Sequence, residues 1–141
     1  MKYLFNSICG AIGTFCIYIF GGLDIALQCL LVVIALDYIT GMIKGYKNAK
    51  LDSKVGILGI MKKIGILCLV ALAVVIDKAT ANSGIIQAGV LRSTVIYYLV
   101  ANEGLSIIEN LADIGILVPE FLKNRLNQMK KVEEKTTKEA K

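Results

Sequence analysis

From Tyr3 to Gly22 the chain runs for 20 positions without one charged side chain. As a helix this stretch is about 30 Å long, the thickness of a bilayer's hydrocarbon core. Gly21, Gly22 and Asp24 interrupt it, and a second run from Ile25 to Ile43 carries Asp37 as its single charge. Two such runs so close together predict a helical hairpin across a membrane. A cleaved signal peptide with Lys2 as its basic region is the competing reading. The run is too long for that, and no small-x-small cleavage site with a soluble domain follows. Of the 141 residues, 56% are hydrophobic and 19% charged. A soluble domain of this size exposes too much of its area to hide so much apolar surface. The high apolar content and the low, unevenly spread charge argue against disorder, a coiled coil and a nucleic-acid module, despite a net charge of +5.

Where the charges do fall sets the topology. Between residues 44 and 63, Lys44, Lys47, Lys50, Lys54, Lys62 and Lys63 face one acid, Asp52. Ile64–Ile76 is uncharged but only about 20 Å long, so it spans only if its helix begins near Gly56. Lys62 and Lys63 are then expected to snorkel to the headgroups. The alternative makes Val55–Met61 interfacial and leaves a thin third span. Asp77, Lys78 and Thr80–Gly84 read as a turn, and Ile85–Ala101 is a fourth run with Arg92 near its middle. The six-lysine loop and the tail from Glu120, with seven Lys/Arg, both belong on the cytoplasmic side. Four crossings satisfy this, at about 3–22, 25–43, 56–76 and 85–101, with both termini in the cytoplasm. Three crossings, the first segment being re-entrant or external, are the alternative.

Ionisable residues within a span cost a few kcal/mol or more each and turn toward protein or water. Asp37 and Arg92 qualify, and their opposite signs predict pairing within one chain or between subunits. Residues 102–118 then alternate sharply. Asn102, Glu103, Ser106, Glu109, Asn110 and Asp113 fall within an arc of about 120° on a helix, and Arg92 joins that arc if the helix is continuous. From Ile86 to Leu117 such a helix would be about 48 Å long, so it either projects into the cytoplasm or bends near Gly104 to lie along the interface. Two readings of the stripe are open. One is an interfacial helix with its acids toward water. The other is a polar strip that packs against neighbouring subunits and later faces a water-filled lesion. Gly10 with Gly13, Gly41 with Gly45, and Gly56 with Gly59 are sites where helices could approach closely. Gly45 could equally end the second helix. After Pro119, Leu122, Leu126, Met129 and Val132 repeat at helical spacing. Residues 133–141 read as a solvated, disordered tail, whose basic surplus can meet anionic lipid. The chain thus divides into a membrane domain, 1–118, and a basic tail, 119–141.

Catalytic chemistry finds little here. Without His there is no imidazole base and no Ser–His or Cys–His pair. Cys9, Cys16, Cys29 and Cys68 lack zinc spacing and sit in apolar segments, as packing residues. No phosphate-binding glycine loop is present. An enzyme, a cofactor and a bound metal are all argued against.

Several strings, however, resemble a known family. They are Leu36-Asp37-Tyr38-Ile39-Thr40-Gly41; Ser53-Lys54 with Gly56, Gly59, Lys62 and Lys63; Asn102-Glu103-Gly104-Leu105-Ser106-Ile107-Ile108-Glu109-Asn110; and Pro119 with Leu122-Lys123. Together they look like the toxin-secretion/phage-lysis holins of Gram-positive bacteria and their phages, over about Leu23 to Leu126. The resemblance implies an all-α membrane protein: a bundle of four (or three) transmembrane helices, an amphipathic helix and a charged tail. It further implies a homo-oligomer in the lipid bilayer of the cytoplasmic membrane. That oligomer opens lesions for a muralytic endolysin or a large toxin, with no nucleic acid involved and no direct contact with the cargo required. Asp37 and Arg92 are the charges placed to feel the membrane potential, at about 2.3 kcal/mol per charge moved through 100 mV. A small channel or transporter subunit would need a midplane site, which only Asp37 and Arg92 offer. A non-pore adaptor would use the basic loop and tail to recruit a cytoplasmic partner.

Overall fold

The computed structural model describes residues 1–48, 53–81, 89–125 and 128. They form four long helices: α1 (Lys2–Phe20), α2 (Ile25–Lys47), α3 (Ser53–Thr80) and α4 (Val90–Asp113). Residues 120–125 are also helical, with the Leu122 amide donating to the Pro119 carbonyl at 3.1 Å. The expected loop lysine Lys50 with Asp52, the start of the fourth run at 85–88, Leu126, Met129, Val132 and the tail beyond lie outside the described residues.

Two glycines reverse the chain between α1 and α2. Gly21 takes a left-handed conformation (φ 73°) and Gly22 has φ 121°; their amides both return to the Ile17 carbonyl. This closes the carbonyl end of α1 in the manner glycine permits. Asp24 then starts α2, its carboxylate accepting from the Leu27 amide at 3.0 Å. α1 buries none of its residues. Its polar ties to the other helices lie in its last turn, where Lys78 donates to the Tyr18 carbonyl (3.0 Å) and sits over the Tyr18 ring.

The packed unit is α2, α3 and α4. Sequence offsets between partners on α2 and α4 are nearly constant: 68 for Asp24–Arg92, 70 for Thr40–Asn110 and 69 (113 − 44) for Lys44–Asp113. A constant difference means that the two helices run parallel. α3 runs against both, since Lys63 reaches Asp37 and Glu103 while Asp77 reaches residues 91 and 92. Each helix turns one seam inward, in alternating steps of three and four residues. The seams are Leu27, Leu30, Ile34, Asp37, Gly41 and Lys44 on α2; Gly59, Lys63, Ile66, Val70, Ala73 and Asp77 on α3; and Arg92, Ile96, Leu99, Glu103, Ser106, Asn110 and Asp113 on α4. That 3.5-residue repeat is the spacing of helices packed side by side along their length. Leu27, Leu30, Ile66, Val70, Ile96 and Leu99 make the apolar core.

Among the described residues three helical segments are long and apolar enough to cross a membrane: α1, α2 and Gly56–Thr80 of α3. The expected fourth span is not among them. Val90–Asp113 is one helix, unbroken at Gly104, so the described part of the expected fourth run and most of the polar stretch after it share a single element that lies against α2 over most of its length. Gly45 does not end α2, which continues to Lys47.

Candidate functional site: a buried polar seam

The three seams bring polar side chains together in three tiers. The middle tier is ionic. Lys63 of α3 lies between Asp37 of α2 and Glu103 of α4, its ammonium bonded to both carboxylates. These side chains are 12%, 11% and 0% exposed. Asn110, two helical turns further along α4, donates its amide to Asp37 Oδ1 at 3.2 Å and to Thr40 Oγ1 at 3.3 Å. The Thr40 hydroxyl itself donates to the Leu36 and Asp37 carbonyls. A second tier at one end joins Lys44 to Asp113 at 2.6 Å, with the Lys47 ammonium 3.4 Å from the Asp113 carbonyl.

The third tier closes the opposite end. Arg92 grips Asp24 through Nη1 (2.7 Å) and Nη2 (3.1 Å), and also bonds the Phe20 and Gly22 carbonyls. Such a two-pronged guanidinium–carboxylate contact is among the strong hydrogen bonds of proteins. It holds the Asp24 carboxyl, in the turn outside the spans, down at about 2. The first cause is the hydrogen bond from Arg92; burial opposes it. Gly21 is needed beside this clasp, because a Cβ there would lie 3.1–3.2 Å from Arg92 Nε, Arg92 Cδ and Val74 Cγ2. Asp77, buried on α3, accepts from the amides of Leu91 (3.2 Å) and Arg92 (2.8 Å). Gly89 at the start of α4 brings no side-chain cap of its own, so α3 supplies one. Among the described residues no buried side-chain nitrogen or oxygen lacks a hydrogen-bond partner.

Several sequence expectations are corrected by this geometry. Asp37 and Arg92 are not partners within the chain: each is committed to another residue, and about 20 Å of helix separates Asp37 from Asp24, which Arg92 holds. Lys63 does not snorkel outward; only its neighbour Lys62 is exposed. Asp77 belongs to a helix, not a turn. The stripe on α4 faces α2 and α3 of the same subunit instead of water. Arg92, Glu103 and Asn110 are buried and Asn102 and Ser106 half-buried, while Glu109 is exposed and Asp113 lies at the end. Of the glycines, Gly41 comes close to Asn110 and Gly59 to Tyr38, whereas nothing lies near Gly10, Gly13 or Gly56. All four cysteines are free and exposed. The central role of Lys63 was missed, although its three-and-four spacing to Ile66, Val70, Ala73 and Asp77 distinguishes it from Lys62.

Comparison with known proteins gives the family. The family model described as the bacteriophage holin family matches residues 14–131. An uncharacterised protein of Clostridium perfringens is 42% identical over 118 residues, covering 84% of each chain. An uncharacterised protein of Bacillus subtilis is 39% identical over 124 residues, 88% of this chain and 84% of that one. A protein of Bacillus phage phi105 named a probable holin is 37% identical over 110 residues, 78% and 77% of the two chains. No solved structure matches. With the family match running from within α1 to beyond the helical turn at 120–125, this chain is a membrane protein belonging to the bacteriophage holin family.

Proposed function

We propose that this chain is a holin that self-associates in the cytoplasmic membrane and opens lesions, releasing an endolysin to the cell wall or a large toxin from the cell. The observation that carries the reading is the ionic tier of Asp37, Lys63 and Glu103, buried inside a bundle whose outer surface is apolar. Charges in the hydrocarbon region are expensive unless paired or hydrated. A closed subunit satisfies them internally. A lesion satisfies them with water, so the same seam suits both states and no catalytic group is required.

The placement of α4 follows from the same tiers. Asp24 and Lys44 are 20 residues apart on α2, about 30 Å, a spacing that suits the Arg92 clasp and the Lys44–Asp113 pair to the two faces of the hydrocarbon. α4 runs between them as a fourth crossing. Its polar side is shielded by α2 and α3, and its other side presents Val90 and Tyr97 to lipid, with Ile107 and Leu111 half-buried beside them. The basic loop, the basic tail and both termini lie in the cytoplasm, by the positive-inside rule.

Expression in a bacterium, alone and with a muralytic enzyme, tests this. Abrupt depolarisation followed by enzyme-dependent lysis is the expected result. Growth with an intact potential would point to a non-pore adaptor. Ion-selective flux without protein passage would point to a channel subunit.

A further inference from the structure

The polar groups of the seam are not continuous. From the proposed cytoplasmic face inward, Lys44 and Asp113, then Thr40 and Asn110, then Asp37, Lys63 and Glu103 form one polar zone. At the opposite face Asp24, Asp77 and Arg92 form another. Between them the seams carry only hydrocarbon. On α4 that interval runs from Arg92 to Glu103, 11 residues or about 16 Å. Leu30, Val70 and Ile96, one from each helix, sit in it with no exposure at all, and Leu27, Ile66 and Leu99 surround them at 3–7%. A bundle held in lipid by packing alone has no need of ionic groups above and below such a plug.

We propose that this apolar tier is the gate of the individual subunit: it separates a polar half-pathway, reached from the cytoplasmic face, from the polar clasp at the other face. Narrow apolar constrictions block ions because water does not fill them, and a polar group in the constriction lets water in. Wetting the tier therefore makes a single subunit conduct protons and small ions, without the large lesion. The inference rests on α4 crossing the membrane beside α2 and α3. It is separable from lesion formation, which concerns many subunits and large cargo.

The test uses the full chain in liposomes at low protein density, with a pH-reporting dye and a larger dye trapped together and a potassium gradient as driving force. Val70→Thr changes shape little, and its hydroxyl can bond the carbonyl one turn back, so the bundle keeps its packing. Ile96→Ser is the stronger variant. Both are expected to raise proton flux over wild type by at least about tenfold, the factor given by 1.4 kcal/mol on a barrier, while the larger dye stays inside. Adding Asp37→Leu, Lys63→Met and Glu103→Leu to Val70→Thr is expected to abolish the flux, because the way to the tier is then apolar. A leak through misfolded protein would persist in that background. Wild-type flux from both single variants, release of both dyes together, or flux that survives the apolar background would each overturn the gate. Release of the larger dye by wild type at high density tests the lesion separately.

Discussion

Replacing Lys63 by Met would leave two carboxylates facing one another across the centre of the bundle. Asp37 and Glu103 belong to different helices, and their side chains are 11% and 0% exposed, so water offers little relief. Removing one partner of a buried ion pair costs about 3–5 kcal/mol. At 1.4 kcal/mol per tenfold, the closed bundle should lose between two and three and a half powers of ten in its folding equilibrium. Asp37 keeps the Asn110 amide, while among the described residues Glu103 is left with a long contact of 3.5 Å from Asn102. Glu103 should therefore carry most of the penalty. The converse substitution sharpens the expectation. Lys63→Met with Asp37→Leu and Glu103→Leu removes every charge of the tier, and packed hydrocarbon in place of a buried ionic group is often neutral or stabilising.

Two assays on the full chain read this: detergent-driven unfolding in mixed micelles, and the onset of lysis with a co-expressed muralytic enzyme at matched membrane levels. The single variant should unfold at lower denaturant and lyse early, or fail to accumulate. The triple variant should regain the unfolding midpoint, and Lys63→Met with Glu103→Leu should recover more of it than Lys63→Met with Asp37→Leu. Wild-type stability and timing in Lys63→Met, or a triple variant no better than the single one, would show that the tier does not hold the seam shut.

Other parts of the seam give smaller, separable effects. Because Asp24 ionises at about 2 in the fold against 3.8 ordinarily, its contact with Arg92 stabilises fully above about pH 4 and is lost as pH falls toward 2. Its side chain is half exposed, so screening trims that gain; Asp24→Asn should flatten the acid limb of an unfolding curve. Gly21→Ala forces a side chain into left-handed backbone against Arg92 and Val74, and should cost about 1–2 kcal/mol or more in the micelle titration. Lys44–Asp113 is largely exposed, so Asp113→Ala should change stability by at most about 1 kcal/mol, less at high salt. The chain has no Trp, so Tyr97→Trp, on the outward side of α4, gives a single reporter. It should emit to the blue and be quenched by brominated acyl chains; red emission quenched by aqueous iodide would deny α4 its place in the bilayer.

The helices were legible because charge in a membrane chain is sparse enough to act as punctuation. The uncharged run before Gly21, the lysine-rich stretch after Ile43 and the break near Asp77 each fall close to a helix end. Of the polar arc on α4, Arg92, Glu103 and Asn110 turn into the bundle while Glu109 does not. Pairing was not legible. Opposite sign suggested Asp37 with Arg92, but partners across a bundle are selected by depth and by helix direction, which a linear sequence does not display. Asp37 stands 13 residues along α2 from Asp24, so it meets the middle of the antiparallel α3, where Lys63 lies. Composition treats Lys62 and Lys63 as equals; one step of 100° around the helix puts one outside and the other at the centre.

The same geometry explains why α4 fails a test of apolarity that α1 passes. Such a test averages around the helix, and so measures whether a helix could stand in lipid alone on every side. α1, with nothing buried, has to meet that condition by itself. α4 does not. Arg92, Glu103 and Asn110 are covered by α2 and α3, so as the proposed fourth crossing α4 has only its opposite side, with Tyr97 most open, to suit to hydrocarbon. A helix of this kind cannot enter the bilayer before its shield has formed, nor leave its partners there without exposing charge. On the proposed reading, that dependence gives a lytic membrane protein two stable arrangements of one polar seam, dry against its own helices or wet against a lesion, and makes any intermediate with a bare seam in lipid the barrier between them.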